Sequence, residues 1–357
     1  MHYNGVNIGG FLSQAEFSYS HIKNFIKEND FECIKKWGFN TVRFPVDYQF
    51  FINEENKIDE KKVKYIDRTI SWAKKNNLFI ILDLHKAPGH SFSYKERDKN
   101  DIWNKKSKSR KEFLKIWEFF TLRYKNYDAQ LIFEILNEPV AEDDEEWNSL
   151  YIETVKKIRK IDTGRIIVIE SNKWGHCDKF KKLKILDDDR IIYSFHFYDP
   201  ILVTHQLAEW TSFYIHNIYR KKVKYPGRPE GIKEVNSKLK KVDKQFSIFL
   251  KNQDKYWDIN ELEKIMEPVL RVRDKYKINL LCGEFGVNAK ADVITRKNWT
   301  EDIIKLFVKY GISYTYWNYK NMDFGIWDFT EKYKNNPNYE NHLDKNILKI
   351  LQAGIKR

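Results

Sequence analysis

Eight short runs of apolar and β-branched residues recur along the chain, and the intervals between them carry helical patterns. They fall at 6–11, 41–44, 79–84, 131–136, 166–169, 191–195, 279–283 and 313–317. Most begin about 25 to 50 residues after the one before, room for a loop, a helix and a second loop. Strands joined in that way run parallel. Eight such units predict an α/β protein whose sheet closes into a (β/α)8 barrel. An open doubly wound sheet usually carries a glycine-rich phosphate turn after its first strand, and Asn7-Ile8-Gly9-Gly10 lacks the spacing that turn needs.

The intervening helices follow from periodicity. Segment 59–75 places Val63, Ile66, Ile70 and Trp72-Ala73 at near-helical spacing, and Asn76-Asn77 ends it. Segment 110–124 does the same with Phe113, Ile116, Trp117 and Phe120. One interval is anomalous, running from residue 195 to residue 279. About 50 to 60 of its residues, 199–260, must form an insertion. Its rings (Trp210, Phe213, Tyr214, Tyr219) and the turn Tyr225-Pro226-Gly227 predict a compact helical subdomain. Because it follows a strand's C-terminal end, it is expected on the face where barrel active sites are built. Residues 1–357 are thus expected as one catalytic domain carrying that insertion.

Composition narrows the function classes. A chain with 42% apolar and 16% aromatic residues can fill a large core, which excludes disorder. The net charge of +13 comes from lysines interleaved with Asp and Glu, and the runs at 105–111 and 179–184 form no single stripe. No nucleic-acid partner is expected. Three cysteines give no disulfide framework, and His176 beside Cys177 gives no zinc spacing. No metal, no cofactor and no obligatory protein partner are expected. The N-terminus begins at once in a strand-like segment, and no apolar run is long enough to span a membrane. The expectation is a soluble protein, either cytoplasmic or secreted with its signal absent from this chain.

In a barrel, the last residue of each strand and the first of its loop face the catalytic mouth. The second strand ends in Arg43-Phe44-Pro45, and the third in Asp83-Leu84-His85. The fourth ends in Asn137-Glu138-Pro139 and the sixth in His196-Phe197-Tyr198. The seventh ends in Gly283-Glu284-Phe285-Gly286 and the eighth in Trp317-Asn318. Six strands of eight thus deliver a polar, titratable or aromatic group to one rim. Two of these groups, Glu138 and Glu284, are carboxylates on opposite sides of the mouth. Cleaving a glycosidic bond requires such a pair, one protonating the leaving oxygen and the other acting at the anomeric carbon. Arg43 and Tyr198 would hold Glu284 ionised, and its negative charge would keep Glu138 protonated.

Asn137-Glu138-Pro139, His196-Phe197-Tyr198, Gly283-Glu284-Phe285-Gly286 and the late Trp317, with Arg43 and His85-Lys86-Ala87-Pro88-Gly89, closely resemble the pattern of glycoside hydrolase family 5, the cellulase family. The resemblance spans the whole chain. The segments 195–206, 224–227, 282–287 and 317–320 narrow it to an endoglucanase branch with a helical subdomain after strand six. It implies a retaining endo-β-glucanase acting on β-1,4 bonds in cellulosic or mixed-linkage β-1,3-1,4-glucan. By the same resemblance Glu138 is the acid/base and Glu284 the nucleophile. Asn137 would donate to the sugar 2-hydroxyl, and Arg43 and Tyr198 would orient Glu284. His85 and His196 would line the central subsite, Trp317 would lie under the sugar, and Asn172, Trp174, His205 and Trp210 would make outlying contacts.

Each residue also has a plainer reading. Arg43 can pair with Glu134 or Asp83, which share inward parity with the rim groups and read as buried structural carboxyls. His90, His176, His216 and His342 read as surface or packing residues. Within the same chemistry, a β-mannanase or β-1,3-glucanase is open, because barrel residues read the reaction and loops read the linkage. A non-catalytic glycan-binding barrel would be marked by a lost carboxylate, and both are present.

Overall fold

The eight strands of the computed structural model are β1 (Asn4–Asn7), β2 (Thr41–Asp47), β3 (Phe79–Lys86), β4 (Leu131–Glu134), β5 (Ile167–Glu170), β6 (Ile191–Phe197), β7 (Asn279–Phe285) and β8 (Ser313–Tyr316). They close into one barrel in sequence order, β8 lying beside β1. Residues 2–93, 100–211, 219, 221–239, 244–330 and 338–355 are described. The expected strands all form, with shifted ends. β1 stops at Asn7, and residues 8–11 leave the sheet through Gly10 at φ 78°. β2 and β3 instead run on through Asp47 and Lys86. Parallel strands are buried on both faces, so their ends are not marked by a change from apolar to polar.

Inside the barrel the side chains alternate along each strand. Ile81, Ile132, Val168, Ile192 and Leu281 form one buried apolar cluster with Tyr3. Two residues further along the same strands stand Asp83, Glu134, Glu170, Ser194 and Gly283. The barrel therefore changes from oil to acid in a single step of the pleat. Truncating Leu281 to Ala would open a cavity costing about 2–5 kcal/mol.

Helices are pinned by caps and by indole hydrogen bonds. Asp59 accepts the amides of Lys61 and Lys62 ahead of helix Glu60–Lys75, and Ser107 accepts that of Arg110 ahead of Lys108–Tyr124. Asp143 and Glu146 form a capping box on Asp144–Arg159. Trp117 Nε1 donates to the Ile135 carbonyl at 3.0 Å, and Trp147 Nε1 to that of Glu170 at 2.8 Å. Both indoles are buried, so each bond satisfies a donor that has no water.

The chain forms two compact units. The first comprises Met1–Phe197, Pro268–Glu284 and Ile312–Trp317 and contains the barrel strands. The second comprises Tyr198–Glu267, Phe285–Gly311 and Asn318–Arg357. It includes the whole segment 199–260 expected as an insertion, together with a few flanking residues and two later stretches. Helices Ile201–Thr204, Ile232–Leu239, Lys244–Asn252, Val293–Tyr310 and Lys345–Ile355 lie in it. Within it, Asn288 donates its amide to the Thr204 carbonyl at 2.8 Å, and Trp299 Nε1 donates to that of Asp199 at 2.9 Å. Phe213, Tyr214 and His216 lie outside the described residues. No helix among the described residues is long and apolar enough to cross a membrane.

Candidate active site

One side of the barrel mouth is organised by Arg43. Its position on β2, buried between β1 and β3, sends the guanidinium into the barrel, where it is fully buried. Nη1 donates to Glu284 Oε1 at 2.7 Å and to Asn7 Oδ1 at 3.0 Å. Nε and Nη2 donate to the two oxygens of Glu134 at 2.7 and 3.1 Å. Nη2 also reaches Asn137 Oδ1 at 2.8 Å and Asp83 at 3.0 Å. Burial opposes the guanidinium's charge, but Asp83, Glu134 and Glu284 outweigh it and hold the group firmly cationic. The plainer reading of Arg43 and the catalytic one therefore coincide in one side chain. One cation cannot hold three buried carboxyls ionised equally, and burial pushes Asp83 and Glu134 each up to about 7 against its pull.

The other side is organised by a neutral imidazole. His196, on β6, is buried, and that burial drives its pKa well below the ordinary value, with Arg43 and His85 adding to the effect. Its Nδ1 lies 3.0 Å from Glu138 Oε1, 3.5 Å from Glu170 Oε1 and 3.7 Å from Glu284 Oε2. Glu138 keeps 15% of its side chain exposed and Glu284 keeps 7%, so both open to the mouth. Burial raises the Glu138 acid well above the carboxylate range, and the charge of Glu284 raises it further. The opposing charge is thus the second cause, after loss of water.

An oxygen of Glu138, an oxygen of Glu284 and a ring nitrogen of His196 all lie within 4.8 Å of one another. Glu134, Glu170 and His196 form a second such group. Either set has ligand atoms close enough for a metal ion. The same closeness also suits proton transfer between acids of unequal strength.

The other expected residues divide into three sets. Asn137 is buried at the mouth with Oδ1 on Arg43, and its Nδ2 has no hydrogen-bond partner, leaving a donor free for a ligand. His85 Nδ1 lies 2.8 Å from Asp83 Oδ2, and its ring stacks on Trp317 with centroids 5.8 Å apart and planes 5° apart. Gly9 must be glycine beneath that indole, because a Cβ there would meet the Trp317 ring at 2.3 Å. Trp174 is partly exposed and donates Nε1 to the Phe92 carbonyl at 2.8 Å. Tyr198, His205 and Trp210 belong to the second unit and form an aromatic cluster with Phe324. Trp210 in that cluster is 49% exposed.

Asn172 requires a correction. It is buried, Oδ1 accepts the Ala141 amide at 3.0 Å, and Nδ2 donates to the Ala141 carbonyl and to Asp144 at 3.1 and 2.8 Å. Both polar atoms of its side chain are engaged within the protein, and it ties the loop after β5 to the loop after β4.

Two groups were not singled out by the sequence. His90, read as packing, donates from Nε2 to the Asn137 carbonyl at 3.1 Å, and burial lowers its pKa to about 4. Glu170 ends β5, the one strand between β2 and β8 to which no rim group had been assigned. It is fully buried, and its Oε2 accepts the Glu138 amide at 2.9 Å. Its inward parity follows from Val168 two residues before it, although the apolar run itself ends at Ile169.

A closed eight-stranded barrel whose mouth pairs a guanidinium-bound carboxylate with an imidazole-bound carboxylic acid defines a glycoside hydrolase. A sequence profile of the cellulases (glycosyl hydrolase family 5) matches residues 3–323, and the chain belongs to that family. It is 40% identical to endoglucanase C of Acetivibrio thermocellus over 341 residues, which is 92% of this chain and 94% of that protein. Its fold is similar to that of Thermotoga maritima Cel5A in complex with cellobiose, with TM-score 0.71, 27% identity, and 98% and 97% of the two chains covered. Cel5A structures with mannotriose match it at TM-score 0.71 and 26% identity over 98% and 97% of the chains.

Proposed function

We propose that this family 5 hydrolase is an endo-β-glucanase that cleaves β-1,4-glucosidic bonds in cellulosic or mixed-linkage β-1,3-1,4-glucan by double displacement, with retention. One observation carries the reading. An oxygen of each mouth carboxyl lies within 4.8 Å of an oxygen of the other, which suits direct attack and falls short of the wider gap that a bridging water requires. Their surroundings assign the roles. Glu284, paired with Arg43, is the anionic nucleophile; Glu138, beside a neutral imidazole, is the acid.

In the first step Glu284 attacks the anomeric carbon, its new C–O bond forming as the glycosidic C–O bond breaks. Glu138 gives its proton to the departing oxygen. The free Asn137 Nδ2 donates to the 2-hydroxyl, a contact that tightens as positive charge develops on the ring. Once Glu284 is esterified its charge is gone, so the repulsion that raised Glu138 falls away. Glu138, now a carboxylate, takes a proton from water, the water attacks the anomeric carbon, and Glu284 leaves as the anion. His85 and the Trp317 indole support the sugar at the cleavage point, and Trp174 extends that surface. The exposed Trp210, in the ring cluster with His205, is a stacking surface for sugar rings.

The substrate reading draws on the endoglucanase and the cellobiose complex among the similar proteins. A second reading, β-1,4-mannan, is favoured by the mannotriose complex. Products released from carboxymethyl-cellulose, mixed-linkage glucan, mannan and laminarin in parallel separate them. Fastest release from a β-1,4-containing glucan is expected, and fastest release from mannan overturns the glucan reading. Azide tests the roles: Glu284→Gly with azide yields the α-glycosyl azide, and Glu138→Ala with azide yields the β-glycosyl azide. The same anomer from both variants would refute the assignment.

A further inference from the structure

The acid/base stands in a conformation it would not adopt alone. Glu138 has φ 46°, in the left-handed region, and it precedes Pro139. A residue before proline normally lies in the extended region, so this geometry costs on the order of 1–3 kcal/mol unless its surroundings impose it. The surroundings here are one neighbouring segment, residues 170–175. Glu170 Oε2 accepts the Glu138 amide at 2.9 Å. Trp174 donates its amide to the Pro139 carbonyl at 3.1 Å. Asn172 closes a reciprocal pair with the backbone of Ala141. The loop after β5 thus acts as a template for the loop that carries Glu138.

That template is itself built around the Glu170 carboxyl. Lys173, Trp174 and Gly175 are three consecutive left-handed residues, with φ of 53°, 59° and 67°. They bring Gly175 so close that a Cβ there would lie 2.1 Å from Glu170 Oε1 and 2.7 Å from the His196 amide nitrogen. Oε1 has no hydrogen-bond partner and lies 3.5 Å from His196 Nδ1, the same nitrogen that meets the Glu138 carboxyl at 3.0 Å. Trp147 anchors the Glu170 backbone from below through its 2.8 Å bond to the carbonyl.

We propose that Glu170 is a positioning residue for the acid/base: it holds the Glu138 amide, keeps that residue left-handed and fixes its carboxyl against His196. The inference rests on Glu138 being the acid/base. An ionised group sealed beside Glu138 would repel the carboxylate that Glu138 becomes, whereas an uncharged one does not. Burial first, and then Glu134 and Glu138, push the Glu170 acid well above the carboxylate range, in keeping with this.

A merely structural role would weaken all substrates alike; a positioning role singles out those that need an acid. Glu170→Ala and Glu170→Gln are compared with wild type and Glu138→Ala on a cellooligosaccharide and on 2,4-dinitrophenyl β-cellobioside, whose leaving group departs without protonation. Glu170→Ala is expected to lose roughly 10²-fold in kcat/KM on the oligosaccharide, within the span of general acid catalysis, and under about 3-fold on the aryl glycoside. Glu170→Gln keeps an acceptor for the amide and a donor in place of the acid O–H. It is expected to stay within about 3-fold of wild type on both, and it decides the matter if the Ala variant does not fold. An equal fall on both substrates in Glu170→Ala, or a fall in Glu170→Gln as deep as in Glu138→Ala, overturns the inference. If Glu138→Ala itself shows no difference between the substrates, the acid/base assignment fails, and this inference with it.

Discussion

The two sides of the barrel mouth hold the same functional group and make opposite chemistry of it. On the β7 side, Glu284 lies 2.7 Å from a guanidinium that three carboxyls keep charged. On the β4 side, Glu138 lies 3.0 Å from an imidazole that burial keeps neutral. A fixed positive neighbour favours the anion; a neutral neighbour in a dry pocket favours the acid. On the proposed reading, the difference between nucleophile and proton donor resides in what β2 and β6 contribute, and each glutamate's own strand contributes only position.

That comparison can be broken at several points. The largest effect is expected from Glu284→Gln, which keeps shape and removes the anion: kcat on a cellooligosaccharide should fall on the order of 10⁴-fold or more, with the melting temperature little changed. Arg43→Ala removes the cation from among three buried carboxyls and should cost about 3–5 kcal/mol of stability along with activity, as read by denaturant unfolding. Glu138→Ala should lower kcat/KM on the same substrate by about 10²–10⁴-fold, with the loss largely absent for an aryl glycoside with a good leaving group.

A smaller effect sharpens the electrostatic contrast. The raised acid of Glu138 must be protonated to work, so the fall of kcat/KM on the basic side should come not in the ordinary carboxylate range but as pH rises through the higher, shifted value. In Glu284→Gln the repelling charge is absent, so the Glu138 pKa, followed by carboxyl carbon NMR, should move down toward the ordinary value. No movement would mean that burial alone sets it. The smallest effect is expected from EDTA. The reading places all chemistry on carboxyls and water, so activity should not change, and a loss that a divalent ion restores would assign the grouped acids to a metal.

The barrel and most of its mouth were legible in the sequence because a parallel barrel repeats one instruction eight times. Apolar runs mark the strands, and the polar residue that ends each run marks the rim. Arg43, Asn137, Glu138, His196 and Glu284 were readable in that way, and the structure brings them together. Glu170 ends such a run too, after Ile167-Val168-Ile169, but it carries no motif, and its importance lies in accepting a backbone amide from another loop. His90 was missed for the same reason, since its partner is the Asn137 carbonyl. Asn172 shows the converse: a polar residue just past a strand was read as facing a sugar, whereas the loop's left-handed turn directs it to Ala141 and Asp144. Motifs report side chains that meet a substrate. Side chains that meet the backbone leave no comparable pattern.

The anomeric configuration of the newly released reducing end, followed by proton NMR in the first minutes of cellooligosaccharide cleavage, tests the pairing of the two glutamates most directly. The account predicts the β-anomer first, with the α-anomer growing in only by mutarotation. Initial appearance of the α-anomer would mean that water, and not Glu284, attacks the sugar.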